Sequence, residues 1–114
     1  MKLQEHQAAF SQDVAQLINY IFLQGYSCTI GEVFRTPEQA KLYAQVGKGI
    51  PNSLHCKRLA IDLNVFTLDG RYLDKTEDYE LFGRYWESLD THYNRWGGRF
   101  SRLPDGNHFE RKED

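Results

Sequence analysis

The run from residue 58 to 66, RLAIDLNVF, constrains this chain more than any other stretch. Leu59, Ile61, Leu63 and Val65 are aliphatic at every odd position, and Ala60, Asp62 and Asn64 are small or polar at the even ones. That period-2 alternation predicts a strand with one face packed into a core and the other presenting Asp62. Aspartate is depleted in strands because its short carboxylate bonds nearby backbone groups, so its place here predicts that something else uses it.

The flanking sequence predicts what packs on this strand. Over residues 2–24, Phe10, Val14, Leu17, Ile18, Ile21 and Phe22 recur at helical spacing, and Gly25 supplies a stop. YSCTIGEVF favours a strand ending at Arg35, and TPEQ then starts a short helix, with Thr36 as N-cap, Pro37 at the first position and Gln39 as capping-box partner. The helix should run to Val46, and the loop GKGIPN delivers the chain to Ser53 and His55. Asp69-Gly70 predicts a hairpin with a short antiparallel partner. Asp74 or Thr76 can cap a third helix with Leu81, Phe82, Tyr85, Trp86 and Leu89 on one side. His108-Phe109-Glu110 reads as a last strand before a frayed, charged tail.

A length of 114 residues predicts one domain, 1–114, and the charge balance of 14 Lys and Arg against 16 Asp and Glu, without a basic run, argues against nucleic acid as the partner. No stretch approaches the length of a membrane span, and no basic region followed by an apolar segment opens the chain, so neither membrane insertion nor a secretion signal is expected. Cys28 and Cys56 are too few and too isolated for a disulfide scaffold or zinc knuckles and are expected to be buried thiols.

The four histidines divide by context. His6 lies in a polar stretch of the first helix and His92 follows the third, and both read as surface residues. His55 and His108 sit beside strands, and Asp105-Gly106-Asn107 is a turn that can fold its carboxylate back toward His108. If the last strand lies beside residues 58–66, then His55, Asp62 and His108 converge on one sheet face. Two imidazoles and a carboxylate, with a second carboxylate at hand as a base, are the requirements of a hydrolytic zinc site.

Ser53-x-His55 followed by Ala60-x-Asp62 resembles the S-x-H-x-x-G-x-A-x-D signature of the zinc peptidases that include D-alanyl-D-alanine carboxypeptidases, vancomycin-resistance dipeptidases and phage L-alanyl-D-glutamate endopeptidases. Asp105-x-x-His108 is similar to that family's second element, and FRT, Phe34 to Thr36, stands where the family often places an arginine. The resemblance spans residues 26–110. It implies an α+β fold of the Hedgehog/DD-peptidase type, a small, largely antiparallel sheet flanked by about three helices. It also implies one Zn2+ held by His55, Asp62 and His108, with Asp105 as the proton acceptor and donor and Arg35 stabilising the oxyanion. Arg58 replaces the signature glycine, so the backbone there should not need a glycine-only conformation, and a cationic side chain should stand near the cleft.

Ser53 is expected to position substrate or brace a ligand, and Glu110, on the same strand face as His108, to orient that histidine. Trp86 and Trp96 read as core, and the WGG glycines as a cleft wall. The implied substrate is the peptide stem of bacterial peptidoglycan, cut between L-alanine and D-glutamate, with D-alanyl-D-alanine carboxypeptidase action as the alternative. The resemblance further implies a monomeric phage or prophage endolysin, made in the host cytoplasm and reaching the wall by separate export or from a virion. Two rivals remain: Cys56 as a nucleophile with a histidine base, weakened by the lack of a helix N-terminus to acidify it, and a non-catalytic module that keeps the zinc fold for virion assembly.

Overall fold

A computed structural model describes residues 1–113. Its elements follow in the order α1 (Leu3–Leu23), β1 (Tyr26–Ile30), α2 (Pro37–Gln45), β2 (Ala60–Thr67), α3 (Glu80–Leu89), β3 (Asn94–Trp96) and β4 (His108–Arg111), with 3-10 turns at Leu54–Lys57, Thr76–Tyr79 and Gly97–Arg99. The strands form an antiparallel sheet in the order β1-β2-β4-β3, so the fold is α+β as the sequence predicts.

The alternation in β2 decides the layering. Leu59, Ile61, Leu63 and Val65 join Phe109 of β4 in a core with Phe10, Leu17 and Ile21 of α1 and Phe82 and Trp86 of α3. Burying a side chain of this size contributes about 1.5–3 kcal/mol each, so helices α1 and α3 are held to one face of the sheet mainly by this contact. The even positions of β2 and β4 turn to the opposite face. There the register sets Asp62 directly against His108 and Ala60 against Glu110.

Local signals explain the helix ends. Gly25 takes φ +88°, a conformation that costs other residues, and α1 stops before it. The Thr36 hydroxyl accepts from the Gln39 N–H at 3.1 Å and Pro37 opens α2.

Several expectations fail for identifiable reasons. Neither Asp74 nor Thr76 caps α3, because a 3-10 turn intervenes: the Tyr79 hydroxyl accepts from the Val65 N–H at 3.1 Å and ties that turn to β2. Leu81 is exposed, since the buried arc of α3 is centred on Phe82 and Trp86. The Asp69-Gly70 turn forms, but the hairpin is reduced to a single bridge between Phe66 and Tyr72, held by the Thr67 N–H to Arg71 O and Leu73 N–H to Val65 O bonds of 2.9 Å. The first strand ends at Ile30 instead of continuing to Arg35, and β3 was not visible in the sequence.

The C-terminal strand does not fray at Arg111. That side chain lies on the helix face of the sheet, 2% exposed, where its Nε donates to His6 Nδ1 at 3.0 Å and a terminal nitrogen donates to Asp90 Oδ2 at 3.0 Å. His6 is therefore a buried acceptor, not a surface residue, whereas His92 is exposed as expected. No helix among the described residues is long and apolar enough to cross a membrane.

Candidate metal centre

His55 reaches the polar face of the sheet from the 3-10 turn Leu54–Lys57. Ser53 begins that turn, its hydroxyl accepting from the His55 N–H at 3.2 Å, so the serine braces the histidine's backbone. Arg58 ends it in the left-handed region, φ +54° and ψ +39°. This corrects the expectation for Arg58: the turn does demand the conformation that glycine adopts most readily, and a non-glycine residue is held in it. The guanidinium packs over the Phe34 ring, 4.1 Å from its centroid, and is not part of the cleft wall.

Asp62 and His108 arrive from β2 and β4. His108 Nδ1 lies 3.2 Å from Asp62 Oδ1, and His55 Nε2 lies 3.4 Å from the same oxygen. One donor atom from each of the three residues falls within 4.8 Å of the others. Ligand atoms about 2.0–2.1 Å from a common tetrahedral centre stand roughly 3.3–3.4 Å apart, so the two measured edges fit a small divalent cation such as zinc. The sequence expectation that these three side chains meet on one sheet face matches this geometry.

The surrounding groups set their protonation. Burial raises the Asp62 pKa, but hydrogen bonds from His108 and His55 and their charges outweigh it and bring the carboxyl down to about 2. For His108, burial favours the neutral ring, and the hydrogen bonds to Asp62 and Glu110, together with their charges, prevail and hold it up at about 9. Glu110 Oε1 accepts from His108 Nε2 at 2.8 Å, and its other oxygen pairs with Arg95 at 2.5 Å. An anionic acceptor at Nε2 holds one proton there, so the proton that a cation would displace is the one on Nδ1, which faces Asp62. Burial alone would raise the Glu110 carboxyl; His108 and Arg95 lower it instead.

A cleft of about 600 Å³ lies over this cluster, with Arg35, Asp62, Asp105 and Glu110 in its wall. Asp105 stands on the rim, its turn fixed by an Asp105 N–H to Gly97 O bond of 2.9 Å and a His108 N–H to Asp105 O bond of 3.2 Å. Loss of water around its carboxyl raises its pKa, opposed by the charge of His108 and reinforced by that of Asp62. Gly97 has no room for a side chain: a Cβ there would strike the Asp105 carbonyl and crowd the His108 Cβ. The WGG glycines thus serve packing and are absent from the cleft wall, while Trp86 and Trp96 are core as expected.

Sequence reasoning missed Glu32. Its carboxylate pairs with Arg35 and approaches His55 Nε2 to 3.5 Å, and its carbonyl accepts from the Asp62 N–H at 2.9 Å. The Arg35 N–H donates to the His55 carbonyl at 3.2 Å, so residues 32–35 are sewn to both ligand-bearing segments. The available signal was the acid and base three residues apart in GEVFR. Arg35 lies in the cleft wall with its Nε buried and without a partner among the described residues, as is His55 Nδ1. Cys28 and Cys56 are free and half-buried, and Cys56 takes no part in the cleft wall.

The fold is similar to that of the L-Ala D-Glu endopeptidase ChiX of Serratia marcescens, with a TM-score of 0.70 and 18% identity over 96% of this chain and 85% of that one. No curated protein matches the sequence. The sequence profile of D-alanyl-D-alanine carboxypeptidases matches residues 46–111, more than half of the chain and the whole span from His55 through Asp62 to His108. With that match and this arrangement of side chains, the chain belongs to the D-alanyl-D-alanine carboxypeptidase family of peptidases.

Proposed function

We propose that the protein is a zinc-dependent peptidoglycan peptidase of endolysin type that cleaves the L-alanyl-D-glutamate bond of the cell-wall peptide stem. The observation that carries the reading is the convergence of His55, Asp62 and His108 at 3.2–3.4 Å edges beneath a cleft that Asp105 and Arg35 also line. The endopeptidase choice draws support from the resemblance of the chain to phage enzymes and from the fold it shares with an L-Ala D-Glu endopeptidase.

When bound, zinc supplies Lewis acidity that makes water a nucleophile near neutral pH. His55 would offer Nε2, His108 Nδ1 and Asp62 a carboxylate oxygen to the cation, and Glu110 would hold the remaining His108 proton on Nε2 once the one on Nδ1 is displaced. Asp105 takes the proton of the attacking water and passes it to the departing amine. A carboxyl raised by partial loss of water is a stronger base than an exposed one, which suits that task. Arg35, anchored by Glu32 and carrying an unpartnered Nε, stabilises the oxyanion that forms on the scissile carbonyl. In this reading the chain acts on the bacterial wall, reached by separate export or from a virion.

Digestion of purified peptidoglycan, with mass spectrometry of the released fragments, tests the proposal. Activity should vanish with a chelator, return with zinc, and leave new amino termini on D-glutamate. Asp105→Asn should bind metal normally and lose about 10²–10⁴-fold in turnover. Release of terminal D-alanine alone would assign the carboxypeptidase reaction instead, and full biological function of the Asp105 variant would favour a non-catalytic module.

A further inference from the structure

The cleft carries a charge opposite in sign to that of the chain. The protein has a formal net charge of −2, yet six Lys and Arg side chains line the cleft against four Asp and Glu. Three of those cations are already engaged: Arg35 pairs with Glu32, Lys57 with Glu113 and Arg95 with Glu110. Lys48, Arg102 and Lys112 have no ion-pair partner among the described residues. Unpaired cations gathered in one concavity focus a positive field where a substrate binds.

Two of them stand on different loops of the cleft wall. Lys48 belongs to the loop after α2, and its neighbour Gly49 lies beside Arg35, where an added Cβ would come into ordinary contact, 3.4 Å, with a guanidinium nitrogen. Arg102 belongs to the loop between the 3-10 turn Gly97–Arg99 and β4, three residues before Asp105. Each loop also carries an exposed aliphatic side chain in the cleft wall, Ile50 beside Lys48 and Leu103 beside Arg102. Leu103 is held at φ +56°, a conformation that costs a residue with a side chain. The loop of one cation thus touches Arg35, and the loop of the other carries Asp105, in one cleft wall.

We propose that Lys48 and Arg102 bind a free carboxylate of the substrate beside the scissile bond and so make the cleft selective for an acidic peptide, an inference that rests on the peptidase reading above. Ile50 and Leu103 would cover the aliphatic carbons next to that carboxylate. Both cations would act as specificity residues through ground-state binding and leave proton transfer to Asp105.

Binding, not turnover, tests this. Calorimetry of the zinc-loaded Asp105→Asn chain, which should not cut the peptide, with an alanyl-D-glutamyl peptide whose carboxylates are free or converted to amides should show the free acid binding at least about tenfold more tightly. Work at about 0.15 M salt suppresses attraction between charges more than about 8 Å apart. Lys48→Gln and Arg102→Gln should each reduce the acid-to-amide ratio several-fold, Arg102→Lys should retain part of it, and melting temperature and zinc content should stay at wild-type values. An unchanged ratio in both glutamine variants, equal binding of acid and amide, or binding of neither peptide overturns the proposal. If the acid is preferred and both substitutions abolish the preference while peptidoglycan remains uncut by the wild-type chain, this inference stands and the hydrolytic reading fails.

Discussion

At the scale of single residues, the site depends on one proton at His108. With the ring held at about 9 by Asp62 and Glu110, a cation must displace a proton from it at any lower pH. Apparent zinc affinity should therefore rise about tenfold per pH unit between about 6.5 and 9 and level off above that. Chelator-competition titrations across this range measure it, and a flat profile would rule out His108 as a ligand. The sign for the metal-free protein is the reverse. Because His108 has a higher pKa folded than unfolded, its stabilisation is complete below about 6.5 and is lost as pH rises through about 9. Asp62, lowered to about 2, contributes stability above about 3.8 that disappears as pH falls through 2. Metal-free protein should consequently be most stable on the acid side of neutrality.

At the scale of elements, the catalytic arrangement is a matter of register and of one close approach. β2 and β4 pair so that Asp62 faces His108, and a slip of β4 by one residue would turn His108 and Glu110 to the helix face, away from Asp62 and His55. The turn that carries Asp105 is set against Gly97, whose carbonyl accepts from the Asp105 N–H at 2.9 Å. Gly97→Ala should push that turn away and cost about 1–3 kcal/mol, as overpacking does. It should also reduce turnover beyond its effect on zinc binding, because the added Cβ would clash most closely with the Asp105 carbonyl and would meet the His108 Cβ only at 2.9 Å, and His108 is held by pairing with Asp62 of β2. Paired measurements of zinc stoichiometry and peptidoglycan digestion separate the two effects; equal losses of both would show that the turn is not what Gly97 protects.

At the scale of the whole molecule, the two ends of the chain are locked together beneath the sheet. Arg111 of β4 donates to His6 of α1 and to Asp90 after α3, and its guanidinium lies 4.3 Å from the centre of the Tyr93 ring. Removing one partner from a buried charged network leaves the others unsatisfied, so Arg111→Met should destabilise the protein by about 2–4 kcal/mol. Urea unfolding of the metal-free variant measures this, and a change below about 1 kcal/mol would mean that the network contributes little. Because β4 also carries His108 and Glu110, the variant should lose zinc at a lower urea concentration than wild type.

How much was legible follows from the range of the interactions involved. Period-2 alternation in residues 58–66, the helical spacing before Gly25 and the cap at Thr36 are local, and the chain alone sufficed to read β2, α1 and α2. His55, Asp62, Asp105 and His108 could be picked out because their residue types recur at short motif spacings. Glu32 could not, for its role arises from contacts with Arg35, His55 and Asp62 that only folding assembles. His6 was misread because its partner lies 105 residues away, and β3 because a strand of three residues carries no periodicity. Sequence determined the elements and nominated the ligands, since propensity and patterning act between near neighbours. Only the tertiary structure decided which strand lies beside β2, and with it whether the nominated side chains share one cleft, because pairing between distant segments depends on how all the buried surfaces fit at once.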